Sequence, residues 1–262
     1  MMYIETDDIR QISVIAKNEI RKSLRGRKFL AYAVIIAMIF LLITFLPLAL
    51  MDDPWNSMTS FLVAHFSFAT ILVILAATIF ASSTYVSEFE ERTALILFTR
   101  PVKRTTIYLG KFMGCFIMEA VVFIGYYVAV CSASLFLNDS PSAGQYLASL
   151  GGILLCLLAA SALAAVFSVI MRKAGMAAIM TFVTMLILLS IVSGAISIAT
   201  HEMPWYMLDQ AMNVAFVFIP DVAKNLGLGD FDQMKGILTL AVWGAASMFM
   251  SWLLFTRKEM QS

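Results

Sequence analysis

Six long apolar runs separated by short polar stretches organise this chain. They lie near residues 29–50, 60–86, 105–137, 147–171, 175–199 and 236–255. Each is long enough to cross a bilayer, which takes roughly 20 helical residues. The alternation over about ten residues that marks barrel strands is absent. Backbone groups in lipid must satisfy one another within the segment, so the runs are predicted to be helices. The expected fold is an all-α membrane protein with six transmembrane helices.

Two stretches outside the runs carry their own pattern. Ile9, Ile12, Ala16 and Ile20 recur at three- and four-residue spacing between Arg10, Lys17, Arg21 and Lys22. This predicts an amphipathic helix over 8–25, with its cations near anionic headgroups at the inner leaflet. The alternative is a solvated lead-in turn. Residues 1–28 are set apart as this cytoplasmic segment, and 29–262 as one transmembrane domain. In 200–235, Pro204, Pro220 and the aromatics Trp205, Tyr206, Phe216 and Phe218 are spread through apolar sequence. That pattern suggests short outer-surface or re-entrant helices, with a long irregular loop as the alternative.

Charge placement gives the orientation. Of the 18 lysines and arginines, all but Lys224 and Lys235 fall on one side of a six-helix arrangement. The rule that cytoplasmic loops hold the excess of Lys and Arg then puts both termini in the cytoplasm. The opposite links are acidic and turn-rich, as in Asp52-Asp53-Pro54 and Asn138-Asp139-Ser140-Pro141. The first run follows a charged lead and exceeds a signal-peptide core, so no cleaved signal is expected.

Composition agrees with a membrane protein. The chain is 61% hydrophobic and 13% charged, with a net charge of +1. A soluble domain carries about 25% charged residues, so a soluble fold is excluded. The near-neutral charge gives no electrostatic case for nucleic acid. Cys115, Cys131 and Cys156 all sit in apolar runs and read as packing residues. The 18 methionines are scattered, and His65 and His201 are far apart, so no metal site is expected. Gly110 and Gly114 form a GxxxG, and Ala159, Ala160, Ser161, Ala164 and Ala165 form a run of small residues. Both suit close helix contact within one chain.

The polar island over 87–104 holds the most information. Ser87 with Glu90 three residues on has the form of a capping box. Glu88, Glu90 and Glu91 suit the positive end of a helix dipole. Ala94-Leu95-Ile96-Leu97-Phe98 continues as an apolar turn, and Pro101 ends it. The expectation is a short cytoplasmic helix whose apolar side is covered by a partner protein or by the bilayer interface.

These residues carry a resemblance. Glu88-x-Glu90-x-x-Thr93, the turn with Leu95 and Leu97, Pro101-Val102-x-Arg104, and Ile107-x-Leu109-Gly110-Lys111 resemble the first cytoplasmic loop of ABC-2-type ABC transporter permeases. Where members often carry Gly before that Thr, this chain has Arg92. The resemblance implies a plasma-membrane permease subunit, most often of an exporter, whose loop holds a coupling helix that docks on a separate ATPase. Glu88, Glu90, Arg92, Thr93, Leu95, Leu97 and Phe98 would contact that ATPase, with Glu90 and Arg92 pairing with its charges. It further implies two ATPase chains carrying ATP and Mg, and a second permease chain, expected as a homodimer. The chain itself would be no enzyme and hold no cofactor. It lacks a P-loop, since Gly110-Lys111 is followed by Phe112 rather than Ser or Thr.

Glu119 is the one carboxylate inside an expected span, about 12 Å along the helix from Lys111. Such a residue is a candidate for contact with a cationic substrate or for proton transfer. The alternative is a buried carboxyl bonded to a nearby Ser, or to Tyr126 or Tyr127. Two other functions stay open: an ATPase-independent transporter or channel that uses Glu119, and an ABC-type subunit that transmits force without moving a substrate.

Overall fold

The computed structural model describes residues 6–50, 55, 57–90, 102–137, 141–229 and 231–257. Among them there is no strand. Helix α1 covers Thr6–Arg25. Six longer helices are each long and apolar enough to cross a membrane: α2 Lys28–Leu50, α3 Met58–Glu88, α4 Arg104–Ser134, α5 Ala143–Ile170, α6 Ala174–Thr200 and α10 Gln233–Arg257. Three short helices lie between the last two: α7 Leu208–Ala211, α8 Val214–Val217 and α9 Pro220–Asn225.

Local chemistry sets several of these ends. Ser57 caps α3 by accepting from the Ser60 amide at 3.3 Å. Ser142 and Gln145 form a reciprocal capping box, so α5 starts at Ala143, ahead of the apolar run at 147. His201 takes a left-handed conformation and closes α6. Helix α3 widens into a π turn at Ala77–Ala81, and α6 does so at Thr184–Leu188.

Helices α3, α4 and α5 form the centre. Half or more of the most apolar stretch of each is buried inside the chain, against 6% for α2. Leu30, Val34, Met38, Leu41 and Phe45 of α2 instead face outward, as suits a lipid-facing surface. The small residues of α5, Ala159, Ala160, Ser161, Ala164 and Ala165, are all buried, and α10 packs along this helix.

The short helices also enter the core. Phe216 stacks on Phe66 of α3 with ring centroids 5.6 Å apart. Ser149 of α5 donates to the Ala215 carbonyl at 2.7 Å, and Cys156 donates to the Met212 carbonyl. These bonds satisfy backbone carbonyls that the short helices leave free.

A second, smaller core joins Tyr85, Tyr108, Phe112, Val169 and Phe255, with Ile15 of α1 and Val102 packed against it. Tyr85 stacks on Tyr108 at 5.1 Å. This cluster fixes the ends of α3, α4, α5 and α10 beneath which the polar junction forms.

Candidate functional site

The junction begins with two residues that lack side chains. A Cβ on Gly110 would lie 2.7 Å from Ile15 Cβ, and one on Gly114 would lie 2.8 Å from the Ala16 carbonyl oxygen and from Glu19 Cβ. The GxxxG therefore seats α1 directly on α4, which agrees with the expected contact within one chain. The packed stripe of α1 is Asp8, Ile12, Ile15, Ala16 and Glu19, while Ile9 is 59% exposed. That stripe is rotated from the one read off the isoleucines.

Rotation brings two carboxylates onto α4. Lys111, next to Gly110, is buried with its Nζ 3.0 Å from Glu19 Oε2 and 2.8 Å from Glu88 Oε1. Lys22 reaches the same Glu88 oxygen at 3.2 Å. Lys103 meets Asp8 at 2.7 Å. Lys111 thus binds α1, the end of α3 and the start of α4 through one ammonium group. Three N–H donors allow it to serve both carboxylates, and each carboxylate needs the cation once desolvated.

Glu88 consequently faces inward. Ser87 does not cap a new helix: it lies inside the turn Val86–Glu90, and its hydroxyl accepts from Lys22 at 3.5 Å. The chain stays helical past Tyr85 because Ser168 Oγ accepts from the amides of Tyr85 and Val86 at 2.9 and 3.2 Å. Glu90 Oε2 accepts from the Ala174 amide at 2.9 Å, which caps α6 with a negative charge. On the far side of the loop, Arg104 Nη1 donates to the Thr256 carbonyl at the end of α10. The described residues on either side of 91–101 are thus anchored on α1, α4, α6 and α10. Arg92, Thr93, Leu95, Leu97 and Phe98 lie outside the described residues.

Glu119 sits one layer deeper and is fully buried. Ser161 Oγ of α5 donates to Oε2, and Cys115 Sγ lies 3.1 Å from Oε1. A serine partner was one of the expected alternatives. The two tyrosines are otherwise engaged, Tyr126 with His65 and Tyr127 with the Tyr146 carbonyl. His65 is held between Tyr126 and Thr44 as a satisfied core residue.

The sequence reading missed Asp8 and Glu19 as partners of Lys103 and Lys111. The signal was present, since positions 8, 12, 15 and 19 step by four, three and four. The basic residues of the same helix, read as facing anionic headgroups, draw attention away from these two acids. Among the described residues no group of three or more His, Cys, Asp or Glu could hold a metal. The arrangement has no nucleophile and base pair; chemically it is a linkage, able to transmit a displacement of the loop to α1, α3 and α4.

Residues 47–253 match the family model for ABC-2 family transporter proteins. Over 129 residues the chain is 32% identical to a protein of Stutzerimonas stutzeri named "Probable ABC transporter permease protein NosY". That match spans about half of each protein, 48% of this chain and 47% of the relative.

Proposed function

Because the chain belongs to the ABC-2 family of transporter proteins, we propose that it is the permease subunit of an ATP-driven transporter and draws its energy from separate ATPase chains. Two copies form the pathway, and two ATPases bearing ATP and Mg sit beneath. Both termini lie in the plasma membrane's cytoplasmic side, α1 rests at the inner interface, and cargo moves outward. Helices α7 to α9 then lie towards the outer face. The island over 91–101 docks on the ATPase through Thr93, Leu95, Leu97 and Phe98, with Arg92 pairing with charge there.

The observation that carries this reading is Lys111 joining Glu19 and Glu88. A push on the island arrives first at Glu88 and Glu90. Through Lys111 it reaches α1 and α4 together, and through the Ala174 amide it reaches α6. Glu88 and Glu90 are thereby transmitting residues within the permease, and the loop beyond them makes the docking contact.

The test is co-expression with candidate P-loop ATPases and purification of the complex. The expected result is one ATPase retained by the wild type and lost on Leu95→Asp with Phe98→Asp, while the permease itself unfolds at an unchanged temperature. Failure of every such ATPase to co-purify would overturn the proposal.

A further inference from the structure

A cavity of about 90 Å³ lies between α3, α6 and α7, remote from the charged junction. Asp209, Thr70 and Ser190 line it, and the remaining wall is apolar, with Ile71, Ile74 and Met212 prominent. Asp209 is held from one side. Ser193 Oγ and Gln210 Nε2 both donate to Oδ2. Its other oxygen, Oδ1, is buried and has no hydrogen-bond partner among the described residues. A buried carboxylate oxygen without a donor costs free energy, so a donor that enters the cavity and reaches Asp209 is favoured, and a cationic one also offsets its charge.

The wall decides which cation fits. A hard metal ion such as calcium takes about six to eight oxygen ligands, more than this cavity has. An ammonium group has three N–H donors, which matches one carboxylate oxygen and two hydroxyls. The apolar remainder of the wall suits methylenes attached to the nitrogen. Ile71 and Ser190 are exposed at the rim, so the cavity opens at the surface of the bundle. Met185 and Leu186 of the π turn in α6 also line it, and such turns recur at functional sites.

We propose that this cavity binds the ammonium head of a primary alkyl amine, with Asp209 as counter-charge and Thr70 and Ser190 as acceptors. The inference rests on the transport reading only in taking that amine as the class of cargo.

Thermal unfolding of the purified full-length protein in nonionic detergent tests it, with n-butylammonium, n-butanol and potassium as probes at matched ionic strength. Butylammonium alone raises the midpoint of the wild type. The shift disappears in Asp209→Asn, and half-saturation moves to about tenfold higher concentration in Thr70→Val, the size expected for one hydrogen bond to a charged group. An absent wild-type shift, an equal shift in Asp209→Asn, or an equal response to butanol or potassium would overturn it. If Asp209→Asn does not fold, Thr70→Val and Ser190→Ala decide, and unchanged half-saturation in both rejects the site. Binding is read without any ATPase, so loss of ATPase association with butylammonium binding intact would count against the transport reading alone.

Discussion

Lys111 Nζ stands 2.8 Å from Glu88 Oε1, and this contact crosses from the start of α4 to the end of α3. Glu19 of α1 completes the cluster from the third side. Lys111→Met is expected to leave Glu19 without its cation and to remove one of the two lysines on Glu88, at a cost of about 3–5 kcal/mol. The triple variant with Glu19→Gln and Glu88→Gln should recover most of that loss, because neither carboxylate charge remains and Lys22 is exposed to water. Unfolding midpoints of the single and triple variants in detergent check both statements. Equal destabilisation of the two would refute the assignment.

Gly114→Leu should detach α1. The nearest atoms to an added side chain are the Ala16 backbone and Glu19 Cβ, neither of which can yield by changing rotamer. Limited trypsin digestion reads this out through cleavage after Lys17, Arg21 and Arg25. Cleavage is expected to accelerate in the variant with the rest of the bundle protected; an unchanged rate would argue that α1 is not seated there.

Glu119→Gln should leave the protein folded and active. The amide keeps an acceptor for Ser161, and a net hydrogen bond at this position is worth about 1 kcal/mol. Glu119→Ala removes the contacts to Ser161 and Cys115 and is expected to lower the midpoint clearly more. Substrate-stimulated ATPase activity of the reconstituted complex is the second measurement. Lost stimulation in a well-folded Glu119→Gln would favour a direct role in transport.

Glu90→Ala uncaps α6. The cost expected is about 0.5–2 kcal/mol, in line with the loss of other N-terminal caps. Hydrogen exchange of the amides from Ala174 to Ala177 should rise, with the remainder of α6 unaffected. A uniform change along α6 would instead mean a global loss of stability.

Sequence alone revealed the six long helices, because lipid-crossing segments must be long, apolar and internally hydrogen-bonded. It also placed the GxxxG at a packed contact. It did not reveal the partner of that contact, because Asp8 and Glu19 on a basic amphipathic helix look like solvated charge until Lys103 and Lys111 are brought opposite them. Ser87 followed by Glu90 has the form of a helix start, yet Ser168, 81 residues downstream of Ser87, supplies the acceptor that keeps the preceding helix going. The π turns leave no mark in composition or spacing: Ala77–Ala81 reads as ordinary apolar helix. Asp209 carries no mark in the sequence, since neither its orphan oxygen nor the cavity has a signature in one dimension.

The wide turn in α3 has a consequence for movement. One surplus residue turns everything beyond it by about 100° about the helix axis relative to an uninterrupted helix. Passing that surplus along the helix exchanges one backbone bond for another at each step and exposes no polar group to lipid. The lower end of α3, tied to Lys111, can thus twist against its upper end, where Phe66 stacks on Phe216, without the span breaking or sliding. A torsion joint of this kind would convert a sideways pull on the Lys111 end of α3 into a change of which side chains face the middle of the bundle.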